Sequence, residues 1–146
     1  MVVTVLINSI NKKGRCILSH ISQINLKITN LNCLKKTIKH FGGTFHENKT
    51  EFNYYAGRKG KCTHAASFPN CSYELGIVKS EDNKSFGLEW DSYSQGGLSR
   101  LLGMQAEKLK QKYAYFLTKE TAMQQGFTTT EKILEDGSIK LTLSVN

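Results

Sequence analysis

The chain is short of proline, of acid and of long apolar runs: it has one proline, and 12 Asp+Glu stand against 20 Lys+Arg. No apolar stretch approaches the ~18–20 residues that a membrane-spanning helix needs, so no membrane span is expected. There is no internal repeat and no low-complexity segment, and the composition is neither collagenous, coiled-coil nor disordered. Four cysteines (Cys16, Cys33, Cys62, Cys71) do not make a disulfide framework in a chain of 146 residues. A Gly-x-Ser-x-Gly elbow, a P-loop and a dinucleotide-binding glycine motif are all missing. The residues therefore assign no catalytic group, no cofactor and no resident metal.

What is present is globular. The apolar fraction is 39%, and 146 residues suit one domain of ordinary size. A domain of this length buries roughly 68–70% of the surface its unfolded chain exposes. The net charge of +8 is unevenly spread. Residues 1–61 hold 11 basic and 2 acidic side chains, whereas residues 62–146 hold 9 basic and 10 acidic ones. An excess of this kind attracts phosphates or an acidic protein surface; the plainer reading is that lysines on a helix face keep the protein soluble. The opening MVVTVLINSI has its basic residues (Lys12, Lys13, Arg15) after a short apolar stretch, the wrong order for a secretory signal, so a reducing compartment is expected.

Periodicity places the elements. Ile24, Leu26 and Ile28 share one face at period two, a half-buried strand. Thr29 or Asn30 then caps a helix whose apolar stripe is Leu31, Leu34, Ile38 and Phe41, with Cys33 as a small buried hydrophobe. Gly42-Gly43 ends it. Thr44–His46 and Glu51–Tyr55 read as short strands, and Gly57–Ser72 as loop. Tyr73–Val78 and Phe86–Asp91 form a hairpin around a polar turn. A long helix is expected over Leu98–Gln125, with Gly103 as its weak point. Phe127–Leu134 and Ile139–Val145 close the chain as a hairpin around Asp136-Gly137. This order predicts an α+β domain of two layers, an antiparallel-rich sheet with two helices, one short and one long, packed on one face.

Several of these segments carry a resemblance. Ser19-His20-Ile21-Ser22 leading into the lysine-bearing helix, Tyr73-Glu74-Leu75-Gly76-Ile77, Lys112-Tyr113-Ala114-Tyr115, Gln125-Gly126-Phe127 and the closing Asp136-Gly137-Ser138 turn are similar to motifs of one family. It is the hypothetical chloroplast reading frame thirty-five family of algal plastids and cyanobacteria. The resemblance runs from about Leu18 to Val145 and implies a plastid protein of the chloroplast stroma, with no established activity. Residues 18–146 are read as the single domain, and 1–17 as an N-terminal extension. One reading starts the protein at position 18 and leaves the extension untranslated; another leaves it disordered; a third makes Val2–Ile7 an extra strand.

The richest candidate patch is Tyr54-Tyr55-Ala56-Gly57-Arg58-Lys59-Gly60-Lys61, where cations for phosphates lie beside aromatic faces for bases. An exposed loop whose tyrosines cover the core edge would look the same. Cys62, His64 and Cys71, with His46, supply zinc-type donors without the spacing of paired knuckles. Ser19 and His20 are adjacent, so on a strand they point to opposite faces and form no nucleophile–base pair. Tyr113 and Tyr115 lie about 200° apart on a helix, so one is expected to pack and the other to face outward. The leading expectation is a non-enzymatic binding or adaptor module that docks RNA or an acidic protein through Lys35, Lys36, Lys39, Tyr54, Tyr55, Arg58, Lys59 and Lys61. From another class comes an enzyme or enzyme subunit with a site around His20 and the Cys62–Cys71 loop, using zinc. A homo-oligomer joined by a sheet edge or a tyrosine face is the third reading.

Overall fold

The structure, a computed structural model, describes residues 2–7 and 21–145. In chain order its elements are β1 (Val2–Ile7), β2 (Ser22–Ile28), α1 (Leu31–His40), β3 (Thr44–His46), β4 (Glu51–Asn53), β5 (Lys59–Lys61), β6 (His64–Ser67), β7 (Leu75–Lys79), β8 (Phe86–Trp90), α2 (Leu98–Leu102), α3 (Glu107–Gln124), β9 (Phe127–Ile133) and β10 (Ile139–Val145). Single 3-10 turns lie at Tyr55–Gly57 and Ser94–Gly96.

The period-two strand forms as β2, with Ile24 and Ile28 buried and Gln23, Asn25 and Lys27 exposed. Asn30 then caps α1: its Oδ1 accepts the Cys33 N–H at 3.1 Å. The Tyr113 hydroxyl oxygen accepts the Thr29 and Asn30 N–H groups at 3.0 and 3.2 Å, so a side chain of α3 also ties down the entry to α1. Leu34 and Ile38 are fully buried, and Gly42, at φ +78°, lets the chain leave the helix in the left-handed region.

The strands form a five-stranded sheet in the order β2-β8-β7-β6-β3, a three-stranded sheet β1-β10-β9 and a two-stranded ribbon β4-β5. Every pairing among the described residues is antiparallel. This is the α+β, antiparallel-rich architecture that the pattern predicts. One face of the five-stranded sheet gives Ile24, Leu75, Ile77, Leu88 and Trp90 to a core shared with α1, α2 and α3. A second core lies between α3 and the three-stranded sheet, built from Tyr115, Ala122, Ile7, Ile139, Leu141 and Leu143. Each leucine or isoleucine among them contributes roughly 1.5–3 kcal/mol when fully buried.

Three features differ from the expectation. The long helix breaks into α2 and α3. Gly103, at φ +98° and ψ 155°, takes a conformation that essentially only glycine adopts, and Ala106 follows at φ +56°. The Gly57–Ser72 loop contains β5 and β6. His64, Ala65 and Ala66 of β6 are all buried, so this internal strand shows no alternation by which to recognise it. Finally, both Tyr113 and Tyr115 are buried, at 2% and 8% exposure. Neither faces outward, because α3 is covered on both sides by different cores.

Candidate functional site

The tyrosine-rich basic segment forms the β4-β5 ribbon and its tip. Glu51 pairs with Lys61, Phe52 with Gly60 and Asn53 with Lys59. Phe52 pins the ribbon to the five-stranded sheet: its fully buried ring lies over both Gly60 and Gly76, where a Cβ on Gly76 would stand 2.5 Å from Cδ1 and Cε1. Glu74 secures the base. Its carboxylate accepts the Lys49 ammonium at 2.6 Å and the Asn53 N–H at 2.9 Å. Burial alone would raise this carboxyl, but the bonds from Lys49 and Asn53 together hold it below its usual range.

The tip is a tight turn. Tyr54 N–H donates to the Arg58 carbonyl at 2.9 Å and Arg58 N–H to the Tyr55 carbonyl at 3.1 Å. Ala56 (φ +55°) and Gly57 (φ +72°) complete it in the left-handed region. Arg58, Lys59 and Lys61 are exposed, Tyr54 is half-buried against Phe52, and Tyr55 is 39% exposed. The Tyr55 ring meets Tyr93 edge to face, with centroids 5.8 Å apart. The Lys59 ammonium bonds to Asn53 Oδ1, which holds it along the ribbon.

The lysines of α1 lie elsewhere. Successive residues of a strand face opposite sides of a sheet. Leu75 and Ile77 face the helices, and Gly76 faces Phe52 of the ribbon. The six candidate cations therefore fall on two faces of the five-stranded sheet, Lys35, Lys36 and Lys39 on one and Arg58, Lys59 and Lys61 on the other. Lys35 is engaged already, 5.1 Å above the Phe45 ring and 4.0 Å from Glu47. Lys36 and Lys39 are exposed.

No protein-family model matches the chain, and no solved structure does. Among curated proteins it is similar to "Uncharacterized protein ycf35" of Pyropia yezoensis, 28% identical over 134 residues that span 85% of this chain and 94% of the relative. The chain resembles ycf35. The likeness read from the motifs is thus borne out across most of the length, and the chloroplast reading frame of the ycf35 relative supports a plastid location. The ycf35 likeness names no ligand and no reaction, so the chemistry rests on the side chains.

The zinc-type donors do not converge. His46 Nε2 is 2.7 Å from Ser67 Oγ, His64 Nδ1 accepts the Asn48 N–H at 2.9 Å, and the Cys62 thiol donates to the Lys49 carbonyl at 3.0 Å. Among the described residues no three His, Cys, Asp or Glu side chains are grouped to hold a metal ion. Burial, with Glu74 nearby, pushes the Cys62 thiol up to about 11, and burial raises Cys71 as well. Both remain thiols at neutral pH and are weak nucleophiles. Ser19, His20 and Cys16 lie outside the described residues. No helix among the described residues is long and apolar enough to cross a membrane.

Lys112, met in the sequence as part of the Lys112–Tyr115 motif, and Lys119 share one aromatic partner. The structure sets their ammonium groups 4.9 and 5.7 Å from the centre of the Tyr115 ring. The signal was there in the spacing: 112, 115 and 119 are neighbours on one helix face.

Proposed function

We propose that the protein is a non-enzymatic binding module of the chloroplast stroma that docks single-stranded RNA through the tip of the β4-β5 ribbon. The observation that carries this reading is the placing of Tyr55, edge to face with Tyr93, at the tip of a ribbon whose Arg58, Lys59 and Lys61 are exposed. Single-strand binders combine cations that follow the phosphates with aromatic rings on which bases stack, and neither requirement fixes a base sequence. The ribbon is preorganised, pinned by Phe52 and tied by Glu74, so little order is lost on binding.

Fluorescence anisotropy with a labelled oligouridylate of about 12 nucleotides tests it. Three phosphate contacts on a single strand give a slope of log affinity against log salt of about −2, from ~0.7 per phosphate. The triple variant Arg58→Ala/Lys59→Ala/Lys61→Ala is expected to lose both the binding and the slope. Binding that ignores salt, or that survives the triple variant, would remove the ribbon from the account.

A further inference from the structure

A second surface lies on the other side of the five-stranded sheet, where α1 and α3 pack together. A groove of about 580 Å³ runs there, lined by Lys36, Phe116, Lys119, Glu120, Met123 and Gln124. Its centre is apolar. Met123 is 62% exposed and Phe116 half-buried, and the two are seven residues apart, two turns along one side of α3. Lys112 and Lys119 repeat the same seven-residue spacing beside them; Lys36 supplies the α1 wall, and Lys39 is exposed on the same helix.

Cations outnumber acids here, with Lys112 and Lys119 held over the Tyr115 ring. None of these four lysines makes an ion pair among the described residues. The acid within the groove, Glu120, accepts the buried Cys33 thiol at 2.9 Å. The neighbouring His40 is held below its ordinary value, first by burial and then by Lys112.

We infer that the α1-α3 face is a docking groove for an acidic amphipathic helix of another protein. An apolar pair at seven-residue spacing, with Lys112 and Lys119 on one side and Lys36 on the other, is the complement of a helix with apolar residues at i, i+3, i+4 and i+7 flanked by carboxylates. RNA suits this face poorly, since its phosphates would lie against Phe116 and Met123. The occupant differs from that of the ribbon and the surface lies on the opposite side, so the inference does not rest on the RNA reading.

The probe is a labelled peptide of about 18 residues, long enough to hold a helix, with leucines at the four positions above and glutamates beside them. Its counterpart carries lysines in place of the glutamates. Amide shifts of the isotope-labelled full chain locate the binding, and anisotropy gives its strength. The acidic peptide is expected to move the amides of Lys36, Phe116, Lys119 and Met123 and to leave Tyr54–Lys61 still. Lys36→Glu/Lys119→Glu should weaken it roughly tenfold or more, and Met123→Asp similarly; Lys36 and Met123 are exposed and Lys119 is half-buried, and Met123→Ala serves as the milder change. The ribbon triple variant should bind the peptide unchanged. Equal binding of the two peptides, shifts confined to the ribbon, or indifference to Lys36→Glu/Lys119→Glu would each overturn the inference.

Discussion

The pin between ribbon and sheet can be tested by adding a single methyl group. In Gly76→Ala the new Cβ would stand 2.5 Å from two carbons of the Phe52 ring, well inside the ~3.5–4.0 Å of favourable carbon contact. The ring cannot slide away freely, because Gly60 on the paired strand lies against it too. Overpacking of this kind costs about 1–3 kcal/mol. For a domain of this size that lowers Tm by roughly 3–10 °C. The reasoning names the partner, so it predicts a coupling. Phe52→Ala alone removes a fully buried ring and costs about 3–5 kcal/mol. In that background Gly76→Ala has nothing to strike, and alanine is the better strand residue by about 0.5–1 kcal/mol. The second substitution is then neutral or slightly stabilising. Urea midpoints of the four proteins give the coupling directly. If Gly76→Ala is equally damaging with and without Phe52, the ring is not what holds the ribbon.

Two further outcomes follow from other bonds. Tyr113→Phe removes the acceptor for the Thr29 and Asn30 N–H groups and should cost about 1–3 kcal/mol, read from urea unfolding; no loss would mean that those amides have another partner. His64, buried between Phe45 and Phe86, needs a neutral ring to accept the Asn48 N–H, and burial lowers its pKa in the folded state. A lowered histidine gives stability that is complete above its ordinary value of about 6.5 and is lost as pH falls below it. Comparing Tm at about pH 7.5 and pH 5 for wild type and His64→Gln isolates this part, and an identical pH response in both proteins would refute it.

Much of the fold was legible because one-sided burial leaves a period behind. Ile24, Leu26 and Ile28 marked β2, the Leu31–Phe41 stripe marked α1, and Asp136-Gly137 marked the last hairpin. Legibility failed where burial was two-sided. His64, Ala65 and Ala66 carry no alternation because both faces of β6 are covered. Tyr113 and Tyr115 looked like one inward and one outward residue because a sequence does not reveal a second sheet. Gly103 was visible as a weak point, but the full break also needs Ala106 in a conformation that alanine rarely adopts. For the site, the ribbon's residue types were readable from their neighbours in sequence. That the α1 lysines stand on the other face, and are joined there by Lys112 and Lys119, depends on strand register and helix packing.

The double cover of α3 also bears on how this protein can change. Of its 18 residues only Lys108, Thr121, Met123 and Gln124 are exposed. A surface helix ordinarily leaves half its circumference free, whereas here Leu109, Tyr113 and Leu117 press on one core, Ala114, Tyr115 and Ala122 on the other, and Phe116 on both. Loosening either sheet strips one side of the same helix, so the two cores are expected to unfold in a single transition. Of its exposed positions near the C-terminal end, Met123 lies in the groove against α1, away from both cores.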